Sequence, residues 1–313
     1  MSASGIEAHG LAKAYGEVRA LEALDLAVAP GVVLGFLGPN GAGKTTAIRM
    51  LTTVLKPDAG TFTVAGIPHT KPVEIRQRVG VLPESAGYPE RQSSEEFLRY
   101  HARLFGHTRE SARETARSLL AETGLTERAR SPIGGYSRGM RQRLGIARAL
   151  VNEPSVVFLD EPTLGLDPSG QRQMLGLIRQ IAEARGATVV LSTHLLAEVE
   201  EVCGRVVILN RGRIVADGTV AEIGRRAGAP RHGRLQVPAE ATARALEALR
   251  ERGVQVAEDW RSGQLDLALR PGNTDENVRA ALGALLDAHI PVLGFELDGG
   301  RLSDAFLAMT ERG

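Results

Sequence analysis

Nine consecutive residues offer the clearest chemistry in the chain: Gly38, Pro39, Asn40, Gly41, Ala42, Gly43, Lys44, Thr45 and Thr46. They match the pattern G-x-x-x-x-G-K-[ST]. The glycines let the backbone wrap so that several N–H groups converge on phosphate oxygens. A helix following the loop adds the partial positive charge of its N-terminus. Lys44 is placed to neutralise the outer two phosphates of a nucleoside triphosphate, and the Thr45 hydroxyl to ligate Mg²⁺. Only four lysines occur, Lys13, Lys44, Lys56 and Lys71, against a total of 38 basic residues. A lysine inside a motif is therefore not there through abundance.

A second acidic element fits the first. Val156, Val157, Phe158 and Leu159 run straight into Asp160 and Glu161. Alone, an acid after an apolar strand is an ordinary turn or helix cap. Beside a phosphate loop it has chemistry, because ligands of parallel sheets collect at the carboxyl ends of strands. Asp160 is expected to hold Mg²⁺, directly or through water. Glu161 is suited to polarise water for in-line attack on the terminal phosphate.

These residues need strands and helices in alternation to position them. Residues 31–37 read as a buried strand, 45–55 as a helix, and 155–159 and 188–192 as two more continuous apolar strands. Met174, Leu177, Ile178 and Ile181 recur at helical spacing before Gly186. Residues 90–150 instead show three helical segments, with Ser94 as a cap and Phe97, Leu98, Leu104 and Phe105 on one face. The expectation is an α/β domain with a helical insertion.

Bulk properties narrow the class. Length 313 suggests two domains, and 43% hydrophobic with 24% charged residues is ordinary for a globular protein. A formal net charge of +1 draws the chain neither to nucleic acid nor to anionic lipid. The single cysteine, Cys203, excludes a disulfide framework and reads as a small core residue. Residues 1–5 do not read as a signal peptide, and no apolar run approaches the roughly 20 residues of a membrane span. Any membrane role is expected to be by docking.

Tyr136-Ser137-Arg138-Gly139-Met140-Arg141-Gln142-Arg143 names a family, because it resembles the signature motif of ABC ATPases. The resemblance covers about residues 4–220 and implies a P-loop NTPase domain of the ABC type that binds and hydrolyses ATP with Mg²⁺. Tyr15 falls where the family has its adenine-stacking aromatic. Residues 165–168 are similar to the D-loop, with Asp167 at the dimer interface or as a plain turn residue before Pro168. Ser192-Thr193-His194 is similar to the switch loop, which places His194 at the γ-phosphate. Ser137 and Gly139 open a helix read from Met140 to Val151, and in the family that end faces the γ-phosphate held by another subunit. A nucleotide-sandwich dimer is implied, of one chain or two.

Two departures stand out. Glu84 occupies the family's usual glutamine position, and Arg138 replaces the first glycine of the signature, where it either attracts phosphate or points to solvent. The resemblance implies a separate transmembrane permease subunit, peripheral attachment at the cytoplasmic face of the membrane, and export. The ending Leu302-Ser303-Asp304-Ala305-Phe306-Leu307 is similar to ABC subunits of drug and polysaccharide exporters. An importer subunit and an ABC ATPase acting on nucleic acid or ribosomes are the alternatives. The near-neutral charge and the single nucleotide unit argue against nucleic acid, and no guanine-reading Asn-Lys-x-Asp occurs. His69, His101 and His232 lack ligand spacing, so no metal beyond nucleotide-bound Mg²⁺ is expected. The domains read as 1–223 (helical subdomain about 90–150), a linker at 224–233, and a regulatory or docking domain at 234–313. The last has β-α-β-β-α-β order, which suggests a small α+β ferredoxin-like fold.

Overall fold

A computed structural model describes residues 5–226, 231–256, 263–269, 274–298 and 306. The chain divides into two compact units, Met1–Val220 and Ala221–Gly313. The first unit runs through β1 (Ile6–Tyr15), β2 (Val18–Val28), β3 (Val33–Leu37), α1 (Lys44–Leu51), β4 (Ala59–Val64), β5 (Ile67–Pro68), α2 (Pro72–Arg76) and β6 (Val79–Leu82). It continues with α3 (Ser94–Leu104), α4 (Arg109–Glu122), α5 (Arg138–Ala149), β7 (Val156–Asp160), α6 (Pro168–Arg185), β8 (Thr188–Thr193), α7 (Leu196–Val202), β9 (Arg205–Asn210) and β10 (Arg213–Gly218). Helix α8 (Val220–Arg226) begins at the boundary.

Six strands form the central sheet in the order β10-β9-β3-β8-β7-β6, parallel except for the edge strand β10. All of β7 and β8 is buried, as unbroken apolar runs require when both sheet faces are covered. A second, antiparallel sheet has the order β2-β1-β4-β5. Helix α1 is enclosed in one core by both sheets. Ala47, Met50 and Leu51 pack with Leu11, Leu24 and Phe62 on one side and Phe36, Phe158 and Val190 on the other. The sequence pattern did not separate this second sheet from the first.

Register fixes the site. In the parallel sheet Leu37 lies beside Thr193, and Asp160 beside Ser192. The carboxyl ends of β3, β7 and β8 therefore meet at one edge and deliver the phosphate loop, Asp160–Glu161 and His194 together.

The helical insertion forms as three helices, with two corrections. The cap of α3 is Ser93, not Ser94: the Ser93 side chain accepts from Glu96 N–H while Glu96 reaches back to Ser93 N–H. Ser94 is buried and accepts a hydrogen bond from the Tyr136 hydroxyl. Phe97 and Leu98 are buried as expected, but Leu104 and Phe105 are exposed. The helix stops at Leu104 and the chain turns away at Gly106, so the two-turn repeat outlasts the packing. Helix α1 also stops at Leu51, four residues early, because Thr53 takes a left-handed φ of 60°.

The second unit contains β11 (Arg231–Gln236), α9 (Thr242–Glu251), β12 (Gln255–Val256), β13 (Gln264–Leu269), α10 (Thr274–Asp287) and β14 (Gly294–Asp298). Its sheet order is β12-β13-β11-β14, antiparallel throughout, which is the arrangement of a β-α-β-β-α-β ferredoxin-like fold. Leu235, Leu246, Leu249, Leu265, Leu267 and Leu285 form its own core. Residues 224–233, read as a linker, are mostly in elements: α8 runs to Arg226 and β11 starts at Arg231. Arginine is a good helix former, so glycine and arginine content misled there. The helix expected from Ser303 lies, apart from Phe306, outside the described residues.

Candidate active site

The phosphate loop starts where β3 ends. Gly43, with φ of 105°, precedes α1, and a Cβ on it would stand 2.5 Å from the Ala20 carbonyl oxygen, so only glycine fits. No side chain caps α1 and no acid sits in its first turn. Its N-terminal N–H groups are thus available to an anion. From the far side, Gly212 in the β9–β10 turn donates its N–H to the Ala42 carbonyl at 3.0 Å. Nothing in the motif announces that brace.

Lys44 is buried, 6% exposed, and its ammonium donates to the Gly38 carbonyl at 2.6 Å and to that of Pro39 at 3.3 Å. The same Nζ lies 3.6 Å from Glu161 Oε1. Thr45 Oγ1 donates to Asp160 Oδ1 at 3.3 Å. The Ser192 hydroxyl, across the strand register, donates to that same oxygen. Asp160 and Thr45 thus present hard oxygen donors side by side.

Glu161 follows β7 with φ of 50°, a left-handed conformation costing about 1–2 kcal/mol outside glycine. Its N–H is held by the Ser192 carbonyl and hydroxyl, both at 3.1 Å. Glu161 is 7% exposed, and its carboxylate places Oε2 2.9 Å from His194 Nδ1. Burial pushes this carboxyl above its ordinary value, against the pull of His194 and Lys44, and neighbouring Asp160 adds to the rise.

A cleft of ≈ 530 Å³ collects most of these groups. Pro39, Asn40, Gly41, Ala42, Gly43, Lys44, Thr45 and Thr46 line one wall, and Glu84, Glu161 and His194 face it. Sequence reasoning missed Val18, Arg19, Ala20 and Leu164, which also line it. Tyr15 is not among the lining residues. It is exposed at the end of β1, paired in register with Val18 across the Gly16 turn, and Asp58 pins the chain beside it through Ala14 N–H at 2.8 Å.

The signature residues lie elsewhere. Ser137 caps α5 by accepting from Met140 N–H at 3.3 Å, and Asp167 caps α6 by accepting from Gly170 N–H at 3.2 Å. Helix α5 therefore begins at Arg138, two residues before the expected start. Ser137, Arg138, Gly139 and Asp167 line a separate cleft of ≈ 500 Å³ with Gly165 and Leu166. The exposed Arg138 side chain lies over Gly165, so that a Cβ there would come within 2.5 Å of the guanidinium. The two clefts share no lining residue. The phosphate loop and the signature residues of one chain therefore line separate clefts.

The chain is similar to known proteins along most of its length. A family profile described as ABC transporter matches residues 21–164. The daunorubicin/doxorubicin resistance ATP-binding protein DrrA of Streptomyces peucetius is 39% identical over 97% of this chain and 92% of its own length. The Nod factor export ATP-binding protein I of Burkholderia pseudomallei is 40% identical over 70% of this chain and 72% of its own. A solved ATP-binding subunit of an ABC transporter superposes with a TM-score of 0.63 at 33% identity, covering 71% of this chain and 93% of that one. The chain belongs to the ABC transporter family of ATP-binding proteins and is an ABC-type ATPase. Among the described residues no helix is long and apolar enough to cross a membrane.

Proposed function

We propose that the chain hydrolyses MgATP within a closed dimer and thereby powers a separate membrane-spanning partner that exports small molecules. The relatives named for drug resistance and for Nod factor export support the direction. Attachment is peripheral, at the cytoplasmic face, through docking on that partner. The second unit acts in regulation or docking.

The phosphate loop and the start of α1 bind the triphosphate, and Lys44 turns from its loop carbonyls to the outer phosphates. Thr45 and Asp160 would hold the Mg²⁺, with Glu84 reaching it through water. Among the described residues no cluster of three acids, histidines or cysteines forms a cage. When bound, Mg²⁺ neutralises charge on the phosphates. Glu161 orients the attacking water and takes its proton, and its raised pKa strengthens it as a base. His194 steadies Glu161 and contacts the γ-phosphate. Tyr15 stacks on the base. Ser137, Arg138 and Gly139 meet a γ-phosphate carried by the other subunit, a second copy or a related chain, with Asp167 at that interface.

The observation that carries this reading is Glu161, buried 2.9 Å from His194 and 3.6 Å from Lys44 at the edge where β3, β7 and β8 converge. The full chain with Glu161→Gln is expected to bind ATP as wild type does while turnover falls at least about a hundredfold. Normal turnover would sink the assignment. The same variant, tagged and loaded with MgATP, is expected to retain a multi-span membrane protein from gently solubilised membranes. Recovery of soluble partners alone would count against transport.

A further inference from the structure

The turn that carries His194 is braced from below by a buried carboxylate. Thr193, the last residue of β8, is fully buried. Its hydroxyl accepts from Leu195 N–H at 3.0 Å, closing a tight ring around His194. The same hydroxyl donates to Glu198 Oε2 at 2.6 Å. Helix α7 has no cap from its own Leu195 side chain, so this hydroxyl is what meets the incoming backbone.

Glu198 is an odd residue to bury. It is 3% exposed, and its other oxygen, Oε1, has no hydrogen-bond partner. A buried acid with one bond is a poor stabiliser, and an apolar side chain of like volume commonly serves stability as well or better. What the carboxylate does supply is direction. Accepting from Thr193, it fixes which way the hydroxyl hydrogen points, and so leaves a lone pair for Leu195 N–H. Helix α7 is itself held close to β3, where Val199 and Cys203 would stand 3.0–3.2 Å from a Cβ on Gly35. The brace therefore rests on a fixed base.

We propose that Glu198 is a positioning residue for the hydrolytic step: through the Thr193 hydroxyl it sets the turn that aims the His194 imidazole at Glu161. The inference rests on the reading of His194 given above. Three full-length variants test it, with thermal melting, ATP affinity and steady-state kcat measured on each. Glu198→Leu is expected to keep the melting temperature and ATP affinity of wild type, yet lose about tenfold to a hundredfold in kcat, as small misplacements near reacting groups do. Glu198→Gln keeps a carbonyl oxygen for Thr193 and is expected to retain kcat within about threefold. Thr193→Val is expected to reproduce Glu198→Leu, and the double variant to be no worse than either, because both break one chain of bonds.

Wild-type kcat in Thr193→Val, or equal losses in the Leu and Gln variants, overturns the proposal. Should Glu198→Leu fail to fold, Thr193→Val carries the test alone. His194→Ala separates the two levels. If it is inactive while Thr193→Val is fully active, only the brace is wrong. If His194→Ala itself turns over normally, the role of His194 falls first.

Discussion

Glu161 shows how one side chain reflects its whole surroundings. Burial holds its carboxyl above the ordinary value, so the folded chain binds that proton more tightly than the unfolded chain. The group's contribution to stability is then greatest below the ordinary value of 4.5 and is lost as pH rises through the folded value. Glu161→Gln should accordingly melt above wild type at pH 7, and the gap should close as pH falls below 4.5. A variant melting below wild type at pH 7 would show that His194 and Lys44 outweigh burial. At this scale the sequence was informative wherever a residue type is tied to a spacing. Lys44, Thr45, Asp160 and Glu161 could be read because each sits at a set distance from a strand end. Ser192, with its bonds to Asp160 and Glu161, could be read only as part of a loop resemblance, because its reach comes from strand register.

Elements in this molecule meet at positions where one methyl group decides the sign of a change. Gly145 in α5 faces the end of β6: a Cβ there would stand 2.4 Å from Leu82 Cδ1 and 2.6 Å from the Tyr88 hydroxyl. Leu82 is fully buried and has nowhere to go. Gly145→Ala should destabilise by about 1–3 kcal/mol despite alanine's better helix propensity. Gly176, exposed in the middle of α6, has nothing within 4 Å of the same added atom. Gly176→Ala should stabilise by about 0.5–1 kcal/mol. Urea melts of the two variants in parallel check both signs, and shifts in the same direction would refute the packing account. Helix and strand types were largely legible, because the apolar periods are long and Gly186 ends α6 as expected. Which strands share a sheet was not, since β1, β2 and β4 alternate much as half-buried strands of any sheet do. The exposed Leu104 and Phe105 show the converse limit: a periodic face says nothing of how far its partner extends.

On the scale of the whole molecule, every residue lining the phosphate-loop cleft precedes Val220, and the second unit has a core of its own. A chain ending at Arg226 should therefore bind ATP within about threefold of the full chain, as separate folding units allow. Fluorescent-nucleotide titration of both measures this, and a larger loss would give the second unit a part in binding. The proposed shared site also predicts that MgATP makes Glu161→Gln protein dimerise and that Ser137→Ala in that background weakens the dimer. Sedimentation velocity reads both, and a monomer at saturating MgATP would refute the shared site. The β9–β10 turn carries a further consequence. Because the Gly212 N–H already holds the Ala42 carbonyl in the folded chain, part of the cost of ordering the loop falls on folding rather than on binding. Nucleotide capture is then expected to be limited less by loop ordering than it would be in a loop without such a brace.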